Sequence, residues 1–287
     1  MDPATHSITV VGAGTMGHGI AQVSALAGYR VALCDIDPGI LHRASEQIRR
    51  NLDGGVQRKK ITGDDRDGAL QRITTTVDLE PALAASGLCI EAVVENLSVK
   101  REVFGTMERH APSQALLATH TSSLPVGRIA AGLSRPERVV GLHFFNPVHI
   151  MTLVEVVLQE NTPEPIRKAA LDYVDRIGKS PVVVKDSPGF ATSRLGVVLA
   201  LEAIRMVEQG VAEAADIDRA MELGYKHPMG PLKTTDIVGL DVRLAIAETL
   251  HRELGGERYA PPRLLREKVA AGELGRKSGR GFYEWNE

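Results

Sequence analysis

Residues 8–37, ITVVGAGTMGHGIAQVSALAGYRVALCDID, leave few folds open to the chain that carries them. A β-branched run ends in Gly12-x-Gly14-x-x-Gly17, the third glycine opens a helical stretch, and a second β-run ends on Asp35. The first glycine allows a tight turn, the second lets the backbone approach a pyrophosphate, and the third lets helix and strand pack closely. Thr15 and Met16 complete a loop whose free N–H groups face the anion at a helix N-terminus. The strand-turn-helix-strand context makes this spacing a dinucleotide-binding signature rather than a chance match. Asp35 suits a ribose diol and repels a 2′-phosphate, and no basic residue directly follows it; the predicted cofactor is NAD rather than NADP.

The rest of the chain extends that unit. ITVV, RVALCD, ITTTVD, LCIEAVVE, ALLATH, RVVGLHFF, LVEVVL and PVVVK are short β-like runs, and those through residue 118 alternate with helical stretches, which predicts a parallel sheet with covering helices. After KDSPGF only helical patterns follow. The predicted fold is α/β, a Rossmann-type dinucleotide-binding domain over 1–186 followed by an all-α C-terminal domain over 187–287. In the first helix of the second domain Leu195, Val197, Val198, Leu199, Leu201, Ile204, Met206 and Val207 spread around much of the circumference, so more than one side must be buried. Burial between the two domains, or against a second subunit, would satisfy that, and the expectation is a homodimer through the helical domain. Residues 45–70 are long and charged and read as a helical hairpin projecting from the sheet. Its RRNLDGGVQRKK segment is either a solvated face or a landing site for a ligand phosphate.

Composition narrows the function. Lys plus Arg number 34 against 36 acidic residues, a formal charge of -2, so no global field recruits nucleic acid. No stretch of 18 apolar residues suggests a membrane span, and the N-terminus has no targeting pattern. Cys34 and Cys89 sit in apolar runs as small buried hydrophobes, which fits a reducing cytoplasm. The nine histidines are scattered, and no metal-ligand spacing appears.

A nicotinamide enzyme that oxidises an alcohol must also remove the hydroxyl proton. His143 ends the run RVVGLHF, where open α/β sheets hold their ligands, and Glu155 lies between valines, where a carboxylate is costly unless paired. Spacing alone leaves two readings open: an orienting dyad, or a core histidine and an unrelated strand glutamate.

The motifs VVGAGTMGHGIA, VVENLSVKREVF, HTSSLPV, GLHFFNPV, LVEVV, KDSPGF, HPMGPLKTTDIVGLD and GRKSGRGFYEW together resemble the 3-hydroxyacyl-CoA dehydrogenase family, of the short stand-alone 3-hydroxybutyryl-CoA type, over essentially the whole chain. The resemblance implies NAD-dependent, reversible oxidation of an (S)-3-hydroxyacyl-CoA, with the substrate in a cleft closed by the second domain. It implies that His143 is the catalytic base and Glu155 its partner, that Ser122 and Asn146 hold the substrate's 3-oxygen beside the cofactor, and that Glu95 and Lys100 contact the cofactor. Lys59 or Lys60 would meet the coenzyme A phosphates. Two positions depart from the family: Ser193 stands in PGFATSR, and His120 in HTSS, where asparagine is usual. A dehydrogenase of a free hydroxy acid such as gulonate, and a catalytically idle NAD-binding protein, are the rival readings. The first is disfavoured by RRNLDGGVQRKK and HTSSL, the second by the intact His143, Glu155, Ser122 and Asn146.

Overall fold

The structure, a computed structural model, describes residues 6–285. Two compact units meet in sequence between Asp186 and Ser187. In the first, the eight β-like runs become eight strands: β1 (Ser7–Val11), β2 (Arg30–Cys34), β3 (Ile73–Thr76), β4 (Leu88–Glu91), β5 (Leu116–Thr119), β6 (Val139–Phe144), β7 (Leu153–Leu158) and β8 (Ser180–Lys185). They form one sheet in the order β3-β2-β1-β4-β5-β6-β7-β8. The sheet is mixed, and the strands through β5, whose alternation with helices predicted a parallel sheet, are parallel to one another. β6 and β7 run antiparallel, while every other neighbouring pair is parallel. Only residues 145–152 join β6 to β7; a parallel crossover needs about a dozen residues or more, so the chain reverses there.

Alternation along the strands divides the core in two. Ile8, Val10, Ile90, Leu142, Phe144 and Val156 pack on one face with α1 (Gly17–Leu26), α2 (Pro38–Gln57), α3 (Gly63–Arg72) and α7 (Glu164–Arg176). On the other face Thr9 Oγ1 donates to Ala82 O of α4 (Leu79–Ala84), and α5 (Leu97–His110) and α6 (Val126–Ala130) lie against β4 and β6. Strands covered on both faces read as unbroken apolar runs, which is why they stood out in the sequence. Cys34 and Cys89 are buried, and burial pushes both thiols up to about 12.

The charged segment forms the helix pair α2 and α3, but it starts at Pro38 and only its tip projects. Leu41, Ala44, Ile48 and Leu52, at helical spacing, are buried in the first core cluster and hold α2 down. Lys59 and Lys60 stand exposed in the turn, Lys59 with φ 55°. A cavity of about 360 Å³ there is lined by Val56, Lys59, Lys60, Ile61, Thr62 and Asp65.

The second unit is helical: α8 (Thr192–Glu208), α9 (Ala214–Gly224), α10 (Pro231–Val238), α11 (Leu240–Leu254) and α12 (Arg263–Ala270). Two buried carboxylates organise it. Asp218 accepts the Leu232 and Lys233 N–H groups at the start of α10, each at 2.8 Å, and the Tyr283 hydroxyl at 2.7 Å. Asp236 accepts from the Phe282 and Tyr283 N–H groups and the Trp285 indole. The GFYEW tail is thereby pinned to the motif that carries Asp236. Among the described residues no helix is long and apolar enough to cross a membrane.

Candidate active site

The sheet order reverses between β1 and β4, so the loops that leave these strands diverge around a crevice at their carboxyl ends. The first loop is built as its glycines require. Gly12 has φ 98°, and a Cβ there would lie 2.6 Å from Ala92 O in the β4 loop. A Cβ on Gly17 would run into the Gly12 carbonyl, so the helix can approach β1 only without one. Before Gly14 the space is open to 4 Å, which leaves its backbone accessible to a ligand. α1 has no side-chain cap and no acidic residue in its first turn, so its leading N–H groups suit an anion. Asp35, just past β2, accepts Ala13 N–H at 2.8 Å and Asp37 N–H at 3.1 Å and stays half-buried. The crevice, the exposed Gly14 backbone, the open helix end and the carboxylate together fit a dinucleotide.

A buried polar cluster supports the next two loops. Lys100, on α5, has no exposed side-chain surface and sits 2.7 Å from Glu91 Oε1, 3.0 Å from His120 O and 3.4 Å from Glu95 Oε2. Glu91, the last residue of β4, also accepts Thr119 Oγ1–H at 2.6 Å and Val93 N–H at 2.7 Å. Burial outweighs these partners and raises its carboxyl above the ordinary range. Burial also opposes the charge on Glu95, but there Lys100 and donors from Thr121, Ser123 and Ser122 N–H prevail, and its carboxyl lies below the ordinary range. Glu95 thus holds the 121–123 turn: Thr121 Oγ1 is 2.6 Å away and the Ser122 and Ser123 N–H groups are each 3.2 Å away.

Glu95 and Lys100, both expected at the cofactor, are thus ion-paired within one cluster. The Lys100 side chain is fully buried, while that of Glu95 is 37% exposed. Glu91, Thr119 and Thr121 were missed, although an acid inside the apolar run LCIEAVV was a readable sign that a buried partner must exist.

His143 and Glu155 meet across the reversal. They are register partners in the β6–β7 ladder, on the same sheet face, and His143 Nδ1 lies 2.7 Å from Glu155 Oε2. The histidine side chain is 7% exposed and the carboxylate 0%. The Phe145 ring packs on the imidazole with centroids 4.6 Å apart. Nδ1 is turned to the carboxylate, so Nε2 lies on the side of the ring away from Glu155.

Ser122 is half-buried in the turn that Glu95 holds, and Asn146 is exposed two residues beyond β6, before the cis bond to Pro147. That loop is tied down by Lys179, whose ammonium donates to Val148 O and Met151 O, both at 2.6 Å. His120 lies beside His143, ring centroids 5.8 Å apart. Ser193 is in the first turn of α8, in the second unit. Among the described residues no group of three or more His, Cys, Asp or Glu could hold a metal.

A dinucleotide crevice beside a histidine–carboxylate pair defines a nicotinamide-dependent dehydrogenase. Residues 7–187 match the NAD-binding domain of 3-hydroxyacyl-CoA dehydrogenase and residues 189–285 match its C-terminal domain. The chain belongs to the 3-hydroxyacyl-CoA dehydrogenase family, and its cofactor is NAD. It is 43% identical over 280 residues to the probable 3-hydroxybutyryl-CoA dehydrogenase of Bacillus subtilis, covering 98% of this chain and 97% of that one. It is 40% identical to the human mitochondrial hydroxyacyl-coenzyme A dehydrogenase, covering 97% of this chain and 90% of the relative. The solved (S)-3-hydroxybutyryl-CoA dehydrogenase of Ralstonia eutropha superposes with a TM-score of 0.95 at 37% identity, covering 98% and 99% of the two chains.

Proposed function

We propose that the enzyme interconverts a short-chain (S)-3-hydroxyacyl-CoA, 3-hydroxybutyryl-CoA in the first instance, and the 3-oxoacyl-CoA, with His143 as general base. The observation that carries this reading is the 2.7 Å bond between His143 Nδ1 and the fully buried Glu155 carboxylate at the carboxyl end of the sheet. NAD, when bound, supplies the acceptor for the hydride that leaves C3. His143 Nε2 takes the hydroxyl proton, and Glu155 holds the ring in one tautomer and stabilises the imidazolium that forms. In the opposite direction the imidazolium returns the proton to the alkoxide oxygen. The Ser122 hydroxyl and the Asn146 amide bind that oxygen.

The open Gly14 backbone and the N–H groups around Thr15, Met16 and Gly17 receive the pyrophosphate, Asp35 the adenosine ribose, and Glu95 the nicotinamide side. Lys59 or Lys60, at the projecting tip, meets the coenzyme A phosphates. Ser193 contacts substrate, a role supported by its place in the PGFATSR motif. The enzyme works in the cytoplasm as a homodimer through its helical unit. Support for the dimer is that Leu195, Ile237, Val238 and Val242 are 71%, 44%, 41% and 40% exposed.

The test is NADH oxidation with acetoacetyl-CoA against free acetoacetate and other keto acids. Turnover confined to the thioester is expected; preference for a free acid would assign the enzyme to hydroxy-acid oxidation, and no turnover on either would make it an idle binder.

A further inference from the structure

Strand β5 ends at Thr119, which is in register with Gly141 of β6. Beyond it β6 has no further β5 partner, and the next polar atom there is His120 Nδ1, 3.3 Å from Phe144 N and 3.4 Å from Leu142 O. One ring nitrogen cannot accept from the first and donate to the second at once. A bare Nδ1 satisfies the Phe144 N–H. A protonated Nδ1 leaves that donor stranded, a worse outcome than a carbonyl short of one of two possible bonds. The proton therefore belongs on Nε2.

We infer that His120 is a neutral hydrogen-bond donor to the bound ligand, presenting Nε2–H beside His143 with its tautomer fixed by the Phe144 main chain. Nε2 has no partner among the described residues and is not among the polar atoms sealed from the surface. A second proton on the ring is opposed by burial first, then by the neighbouring His143 and by Lys100 below, which push the group down to about 3 despite Glu95 nearby. Glu91, whose main-chain oxygen takes His120 N–H at 2.7 Å, spends its carboxylate on Lys100, Thr119 and Val93. His120 thus stays neutral while the adjacent His143 changes charge, so the site holds one proton-transfer imidazole and one fixed donor.

A fixed N–H in such a pocket takes a carbonyl oxygen. The nicotinamide carboxamide and the acyl thioester both carry one, and this assignment rests on the proposed function for the identity of the two ligands. An asparagine replaces both halves of the role, its oxygen accepting from Phe144 N–H and its amide donating outward. A phenylalanine keeps the ring and loses both.

Two measurements test the inference. In ¹⁵N-histidine spectra, with His120→Asn identifying the resonance, His120 should show a bare Nδ1 and a protonated Nε2, unchanged between about pH 5 and 8. An Nδ1–H tautomer, or titration within that range, overturns the inference. His120→Phe should weaken one ligand by about 3- to 10-fold, the scale of one neutral hydrogen bond. NADH affinity by fluorescence falls if the carboxamide is the acceptor, and KM for acetoacetyl-CoA rises if the thioester is. His120→Asn should restore either constant to within about twofold. If both constants match the wild type in an enzyme that turns over acetoacetyl-CoA, the inference fails and the functional reading stands. If the wild type does not turn over acetoacetyl-CoA, that reading fails, while the spectra and NADH affinity still decide the role of His120.

Discussion

Lys100→Met removes the buried ammonium and leaves Glu91, with no exposed surface, without its counter-charge. Breaking a buried ion pair from one side costs about 3–5 kcal/mol. The Thr119 and Val93 donors that remain on Glu91 place the loss toward the lower end. At about 2–4 °C per kcal/mol for a chain of this size, the melting temperature should drop by roughly 10 °C. The sign of the pH dependence follows from Glu91. Burial already raises its carboxyl, and without Lys100 the folded state prefers the protonated form still more. Below about pH 4 the unfolded chain also carries this proton and the added penalty vanishes. Once pH passes the raised wild-type carboxyl, the variant, whose carboxyl is held higher still, loses stability relative to wild type by at most about 1.4 kcal/mol per unit. Thermal melts of wild type, Lys100→Met and Lys100→Met/Glu91→Gln from about pH 4 to 8 measure this directly. The deficit should widen with pH and shrink in the double variant. A single variant that melts within about 2 °C of wild type at pH 8 would show that Lys100 does not neutralise Glu91.

Three further outcomes are expected. Glu155→Gln keeps a hydrogen-bonding group against His143 Nδ1 but loses the charge, so kcat should fall by about two to four orders of magnitude with NADH affinity intact; an unchanged kcat removes Glu155 from the mechanism. Asp35 should make NADPH poorer than NADH by about two orders of magnitude in kcat/KM, the scale of a like-charge juxtaposition, and comparable use of both would contradict its role. Light scattering at micromolar protein should give twice the chain mass, whereas a monomer would leave the exposed Leu195 and Val242 unexplained.

The fold was legible where local chemistry decides it. Strands covered on both faces announced themselves as apolar runs, and the Gly12, Gly14 and Gly17 spacing marked the one place where backbone must approach backbone. The reversal at β7 was harder to read, because only the shortness of residues 145–152 signals it. That reversal is also what pairs His143 with Glu155: a twelve-residue separation says nothing about contact until an antiparallel register is known, and then the alternation of side chains sets both on one face. The burial of Lys100 was hard to read because lysine is almost always exposed, and it depends on Glu91 at the end of β4 and Glu95 in the following loop. The tautomer of His120 depends on two atoms of β6 and lies wholly outside what local sequence can show.

Steady-state NADH oxidation with acetoacetyl-CoA by His143→Gln, beside wild type and with NADH binding measured separately, decides whether His143 is the general base. The rate should fall by roughly 10² to 10⁴, the usual contribution of general acid-base catalysis, with cofactor binding preserved. A variant that consumes NADH at the wild-type rate would contradict that role.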